Sequence, residues 1–187
     1  MIVGEPDRLL IRSLAAADAS DLVHALSDPE VMRFSIGGVH TLDDTSRFIE
    51  RSICSYEENG FGSWALVEKA SSRLIGFCGL ALQTVEERQE TEIGYRLARQ
   101  FWGQGFASEA ASAVLVYGFG QLKLESVIAI VQPENVASVR VVEKIGFSCF
   151  KECRYHDRDV RIYRKTILEW SEKGHKESRG EGGKTRD

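Results

Sequence analysis

At 187 residues with 43% hydrophobic composition, the chain can bury a full core and is most simply one domain over 1–170, followed by a polar tail over 171–187 that lacks an apolar anchor and is expected to be disordered. A formal charge of −4 argues against a general nucleic-acid or anionic-membrane binder, and no run is apolar for long enough to span a bilayer. Residues 1–7 lack the basic and apolar regions of a signal peptide, and Cys54, Cys78, Cys149 and Cys153 have no disulfide-framework spacing, so a cytoplasmic protein with reduced thiols is expected.

The elements alternate in type along the chain. Residues 8–14 read as a strand and 16–26 as a helix ending before the Asp28-Pro29 breaker. Thr41-Leu42-Asp43-Asp44 looks like a capped helix start, with Phe48, Ile49 and Ile53 on the apolar side and an Asn59-Gly60 stop. Strands follow at about 62–68 and 74–82, joined by a polar turn at 69–72. Between residues 90 and 97, Ile93, Tyr95 and Leu97 alternate with Glu92 and Arg96, the period of an extended strand. A helix with Ala107, Ala110, Ala111, Val114 and Tyr117 at helical spacing comes next, then a strand at 126–131, a helix from Asn135, and a strand pair at about 147–153 and 161–168. Antiparallel pairs with interspersed helices make an α+β or α/β domain of three layers.

Arg99-Gln100-Phe101-Trp102-Gly103-Gln104-Gly105 joins the 90–97 strand to its helix through two glycines one residue apart. The first-turn N–H groups of a helix have no internal partners and carry partial positive charge, so such a loop can hold a phosphate by backbone alone. Glycine lets a ligand approach the backbone and permits positive φ. Two glycines before a helix also describe an ordinary turn. A dinucleotide fingerprint is a poor match, because Ser108 stands at its third glycine position and antiparallel-looking pairs precede the motif where a βαβ unit should open.

Gln100-x-x-Gly103-x-Gly105, followed by Ala107 and Glu109-Ala110, resembles the acyl-CoA pyrophosphate loop of the GNAT superfamily of N-acetyltransferases. Downstream, Asn135-Val136-Ala137-Ser138 opens a helix closing with Glu143-Lys144-Ile145-Gly146-Phe147. This second motif is similar to that of the ribosomal-protein N-terminal acetyltransferase branch, the RimJ/RimL type, and the strand pattern fits from about 8 to 168. The resemblance implies a mixed, mostly antiparallel sheet flanked by helices, with a splayed strand pair holding acyl-CoA. It implies that the main chain of Tyr95, Arg96 and Leu97 holds the pantetheine arm, that Trp102, Gly103, Gln104, Gly105, Phe106, Ala107 and Ser108 hold the pyrophosphate, and that Asn135 orients the cofactor or a water.

Acetyl transfer from a thioester to an amine needs the amine neutral, the carbonyl polarised and the departing thiolate protonated. Glu92 is the expected general base through water, provided burial raises its pKa; its alternative is a surface glutamate beside Glu90. Many family members place a tyrosine two residues before the lysine of the second motif, where this chain has Val142. The branch resemblance implies that Ser138 serves instead, by a hydrogen bond to the developing thiolate; its alternative is a back-bond within its own helix. The aromatics Phe34, Trp64, Phe61, Phe77 and Trp102 suit a core better than a stacking platform, with Phe34 and Trp64 as candidates to line the substrate pocket. Cys149, Cys153 and His156 lack a convincing fourth ligand, so no metal is expected.

The activity implied is acetyl-CoA-dependent N-acetylation of a primary amine, either a protein N-terminus or a small molecule. An acidic chain weakly favours a cationic amine. The alternative is a non-catalytic acyl-CoA-binding or sensor protein on the same fold, kept open by Val142. Neither a nucleic-acid nor a membrane partner is expected, and a homodimer is compatible with the sequence.

Overall fold

A computed structural model describes residues 1–171. The expected tail over 171–187 lies outside the described residues from 172 onward; Ser171 closes a helical turn, its hydroxyl donating to the Ile167 carbonyl at 2.8 Å.

Strand β1 (Ile2–Gly4) pairs antiparallel with β2 (Leu9–Ser13). At three residues β1 is too short to show a period, which is why it goes unmarked in the sequence. Helix α1 (Ala19–Leu26) buries Leu22 and Leu26, and Asp28-Pro29 does more than end it. The Asp28 carboxylate accepts the Glu30 N–H at 2.9 Å, and proline suits a first helical position, so the breaker also starts the one-turn α2 (Pro29–Met32). Helix α3 (Leu42–Asn59) begins in a Thr41–Asp44 capping box and stops at Gly60 with φ 77°.

Three strands then run antiparallel: β3 (Ser63–Glu68), β4 (Arg73–Val85) and β5 (Arg88–Leu97). The β4–β5 hairpin extends past the expected ends because its tip is Glu86-Glu87, both at positive φ (48° and 65°). Such a two-residue turn ordinarily carries Gly or Asn, so its glutamates hide it from sequence rules. After the glycine loop come α4 (Phe106–Gly120), β6 (Ser126–Val131) and α5 (Val136–Lys144). The last pair is β7 (Phe150–Tyr155) and β8 (Arg158–Thr166), tighter than the expected 147–153 and 161–168 because His156-Asp157, also at positive φ, makes another two-residue turn. Phe147 lies in the connection before β7 and is fully buried.

The eight strands form one sheet in the order β1-β2-β3-β4-β5-β6-β8-β7. Every neighbouring pair is antiparallel except β5–β6, which the α4 crossover makes parallel. Those two strands align at a single residue pair, Glu92 with Ile128, and part beyond it. One face packs Trp64, Leu66, Ile93 and Leu97 against Ala110, Ala111 and Val114 of α4 and Val142 of α5. Ala110 and Ala111 have no exposed surface, so their small side chains bring α4 close to the sheet. The opposite face packs Ala65, Leu74 and Phe77 against Leu22 and Leu26 of α1 and Phe48, Ile49 and Ile53 of α3. The architecture is therefore the expected one of three layers, helices on both faces of a mostly antiparallel sheet.

Among the described residues no helix is long and apolar enough to cross a membrane, and no group of three metal-ligating side chains occurs.

Candidate active site

The parting of β5 from β6 opens a cleft that holds a cavity of about 250 Å³. Its lining brings together Glu92, Tyr95 and Arg96 of β5, Asn135 and Ser138 at the start of α5, and Phe34 from the loop after α2. Trp64 does not join them. It is fully buried, ringed by Tyr56 at 6.2 Å and Tyr117 at 5.5 Å, because strand parity turns it into the α4 face of the sheet; its expected pocket role is thereby corrected to a core one.

Glu92 forms part of the cleft floor. Burial raises its carboxyl to about 7, against the opposing effects of a hydrogen bond from Gln83, the charge of Arg96 and a bond from the Ile130 N–H. The cleft leaves part of the residue accessible, while protein atoms crowd the rest of it. The Gln83 amide donates to Glu92 Oε2 at 2.9 Å, and the Tyr155 hydroxyl donates to Gln83 Oε1 at 2.9 Å, which fixes the amide's orientation. Glu90, by contrast, forms an ion pair with Arg164 on the outside of the sheet, which lowers its pKa. The two neighbouring acids are thus in different environments, and Glu92 is not a plain surface residue.

Beyond Glu92 the β5 edge facing β6 has no strand partner. The Tyr95 carbonyl accepts Arg96 Nη1 at 2.7 Å, and the Leu97 carbonyl accepts the Trp102 indole N–H at 2.7 Å. Alternate residues of an antiparallel ladder turn both backbone groups the same way, so the Tyr95 and Leu97 N–H groups also face the opening. The Tyr95 phenol, pushed up to about 12 by burial, lies 3.5 Å from the Ser138 carbonyl. Burial also lowers the pKa of Arg96.

At α5, Asn135 Oδ1 caps the helix by accepting the Ser138 N–H at 3.2 Å, which leaves its amide nitrogen toward the cleft. The Ser138 hydroxyl makes no hydrogen bond to its own helix among the described residues, so the back-bonding alternative does not apply, and Val142 is a buried part of the cavity wall.

The glycine loop is a separate, open surface at the far end of β5, outside the cavity lining. Gly103 has φ 72° and an added Cβ there would meet nothing within 4 Å; Gly105, at φ 84°, is the N-cap of α4 with no side chain to cap it. The first intrahelical bond runs from Glu109 N–H to the Gly105 carbonyl at 3.0 Å, so the N–H groups of Phe106, Ala107 and Ser108 precede it and remain free for an anion. The side chains of this segment do other work. Phe106 is buried in the core, Ser108 is buried, Ala107 packs against the core, Gln104 bonds the Gln100 carbonyl at 2.7 Å, and Trp102 stands half exposed beside the loop. A backbone cradle with two positive-φ glycines, open space at Gly103 and the Arg8 guanidinium beside Gly105 fits a pyrophosphate.

Arg8 holds this loop from β2's end of the sheet. Its backbone N–H and Nε donate to the Glu109 carboxylate at 2.8 and 2.7 Å, its Nη1 donates to the Gln104 carbonyl at 2.9 Å, and its guanidinium lies 4.3 Å from the Phe106 ring centre. Glu109, noticed in sequence as part of the loop motif, is therefore its anchor. Glu109→Ala is expected to lower stability by about 1–2 kcal/mol and to weaken anion binding several-fold, measured by thermal unfolding and calorimetry.

Sequence reasoning missed Gln83 and Gln132, and it read 31–39 and 154–160 as the acceptor-specificity segments without naming Ser35, Tyr155 or Arg158 within them. Gln83 could have been found by parity, since it lies diagonally across the β4–β5 pairing from Glu92 on one face. The others come from the loop after α2, the end of β6 and the β7–β8 turn, and nothing local marks them as neighbours of β5.

The fold and cleft define a GNAT-type acetyltransferase. The model of the acetyltransferase (GNAT) domain family matches residues 8–148, and the chain belongs to that family. It is 32% identical over 160 residues to the uncharacterized protein YkkB of Bacillus subtilis, covering 85% of this chain and 92% of that one. A GNAT-family acetyltransferase structure from Bacillus anthracis is 31% identical with a TM-score of 0.75, covering 90% of this chain and 99% of that one. RimL, a ribosomal L7/L12 α-N-protein acetyltransferase solved in complex with coenzyme A, shares the fold at 18% identity and a TM-score of 0.73, covering 89% of this chain and 98% of that one.

Proposed function

We propose that the protein is an acetyl-CoA-dependent N-acetyltransferase that moves an acetyl group directly to a primary amine in the β5–β6 cleft. The observation that carries this reading is a buried carboxyl, Glu92, raised to about 7 on the floor of a cleft whose strand edge leads to a backbone anion cradle. Family membership and the coenzyme A complex of the RimL neighbour support the choice of cosubstrate.

The free N–H groups of residues 106–108 and the glycine backbone at 103 and 105 would hold the pyrophosphate, and the unpaired edge of Tyr95 and Leu97 would align the pantetheine amides. Bound acetyl-CoA supplies the activated acetyl thioester. Glu92 takes a proton from the acceptor ammonium through water, since a carboxyl raised to about 7 is half ionised at neutral pH and matched to that task. Gln83 and Tyr155 hold that carboxylate in place. The Ser138 hydroxyl, with no bond to its own helix, holds a proton toward the departing thiolate, and Asn135 keeps the first turn of α5 in position. The cytoplasmic address, the homodimer and the ribosomal-protein branch remain part of this proposal.

Calorimetric titration with acetyl-CoA, followed by thiol release with amine acceptors, tests the reading. Binding in the micromolar range, about −8 kcal/mol, with acceptor-dependent thiol release is expected. Binding without release from any amine would favour the sensor alternative, and no binding would remove the reading. Ser138→Ala is expected to lower kcat about tenfold, the scale of one lost hydrogen bond to a charged group, with acetyl-CoA affinity intact. Unchanged kcat would take Ser138 out of the mechanism.

A further inference from the structure

Arg96 of β5 and Arg158 at the start of β8 converge on Ser35. Arg96 Nε and Nη2 donate to Ser35 Oγ at 3.2 and 3.0 Å, and Arg158 Nη2 faces the Ser35 carbonyl at 3.4 Å. Arg158 Nη1 reaches Gln132 Oε1 at 3.5 Å, and Gln132 in turn donates to the Phe34 carbonyl at 2.9 Å, which ties the loop to the cleft wall. All of these residues line the one cavity.

Neither guanidinium has an ion-pair partner among the described residues, whereas Arg8, Arg12, Arg47, Arg161 and Arg164 each pair with a carboxylate. Arginine keeps its charge when buried, and a buried cation such as Arg96 with no anion in contact is costly; the partly covered Arg158 sets a second positive charge beside it. The one carboxylate in the lining, Glu92, is hydrogen-bonded by Gln83 and acts on Arg96 through its charge without forming an ion-pair contact. Arg96 uses three of its five N–H groups on Ser35 and the Tyr95 carbonyl, and the contacts of Arg158 are at the long limit of hydrogen bonding. Donors therefore remain for a planar, bidentate anion. The chain as a whole is acidic at −4, so the cationic lining is local and reverses the expectation of a cationic acceptor. A volume of about 250 Å³ suits a small molecule.

Resting on the acetyltransferase reading above, we propose that the acceptor is a small amine bearing a carboxylate, held by Arg96, Arg158 and Ser35 with its amine toward Glu92. Both chemical ends of such a molecule then meet complementary groups. A neutral or polycationic amine would leave the two arginines unpaired.

The test uses the full chain with acetyl-CoA and follows thiol release from the common α-amino acids, β-alanine and γ-aminobutyrate, each beside its carboxamide, with spermidine and a C-terminally amidated peptide as further acceptors. At least one carboxylate is expected to exceed its carboxamide tenfold or more in kcat/KM. Arg158→Gln is expected to raise KM for that acceptor at least tenfold and erase the preference, with calorimetric acetyl-CoA affinity retained as the sign that the variant is folded. Arg96→Gln is expected to do the same to the acceptor, with thermal unfolding as its folding control because its guanidinium also holds the Tyr95 carbonyl at the cofactor edge. Carboxamides, spermidine or the peptide matching or outperforming every carboxylate, or no carboxylate being consumed, would overturn the acceptor assignment while acetyl-CoA binding left the parent reading standing. Failure of the wild-type chain to bind acetyl-CoA would overturn both.

Discussion

Glu92→Gln is expected to lower turnover by about 100- to 1000-fold, the range of a lost general base, while acetyl-CoA affinity stays within about twofold. The same substitution is expected to make the protein more stable above pH 7. Burial holds the folded-state pKa at about 7, above the ordinary value of 4.5, so the folded protein binds this proton more tightly than the unfolded chain does. The stability that the proton contributes is complete below about 4.5 and is lost as pH rises toward 7. Above that, the wild type carries the cost of a buried carboxylate, about 3 kcal/mol at 1.36 kcal/mol per unit. Glutamine keeps the shape and removes the charge, so its gain in Tm should grow from pH 5 to pH 8. Wild-type kcat/KM should rise with pH through about 7 as the base ionises. Retained turnover in the variant would remove Glu92 from the chemistry, and a Tm difference independent of pH would mean that its environment does not oppose ionisation.

Gly105→Glu is expected to reduce acetyl-CoA affinity at least 100-fold. Two effects act together. The residue sits at φ 84°, where an L side chain is strained by about 1–2 kcal/mol, and its carboxylate would stand at the N-terminus of α4, competing for the free N–H groups. Gly105→Ala separates these causes, because it keeps the strain without the charge. It should lose the stability but only part of the affinity. Equal affinity in wild type and Gly105→Glu would show that the loop is a turn and nothing more.

These two sites were not equally visible in the sequence. The glycine loop was legible because its geometry resides in the backbone of consecutive residues: two positive-φ positions and the start of a helix. The α3 capping box and the Gly60 stop were legible for the same reason. Less was legible where a rule depends on residue type but the fold overrides it. Glu86-Glu87 and His156-Asp157 turn as glycine or asparagine would, and the strands they join run longer or tighter than their composition suggests. Trp64 shows a different limit. As a large aromatic it suited a core and was also a pocket candidate, and only the pairing of β3 between β2 and β4 decided that it faces α4.

By itself, then, the sequence determined the order of elements apart from β1 and the one-turn α2, the mixed sheet flanked by helices, the glycine turn that opens α4 and the family resemblance, since each rests on contacts within a few residues or on a contiguous motif. Tertiary structure alone decided the state of Glu92, whose pKa follows from Gln83, Ile130 and the burial contributed by distant segments. It alone decided that Ser138 is free of its helix, and that Arg96, Arg158 and Ser35, which are 61 and 123 residues apart along the chain, share one cavity. Desolvation and charge convergence depend on distance in space, and a linear sequence carries that only through the fold.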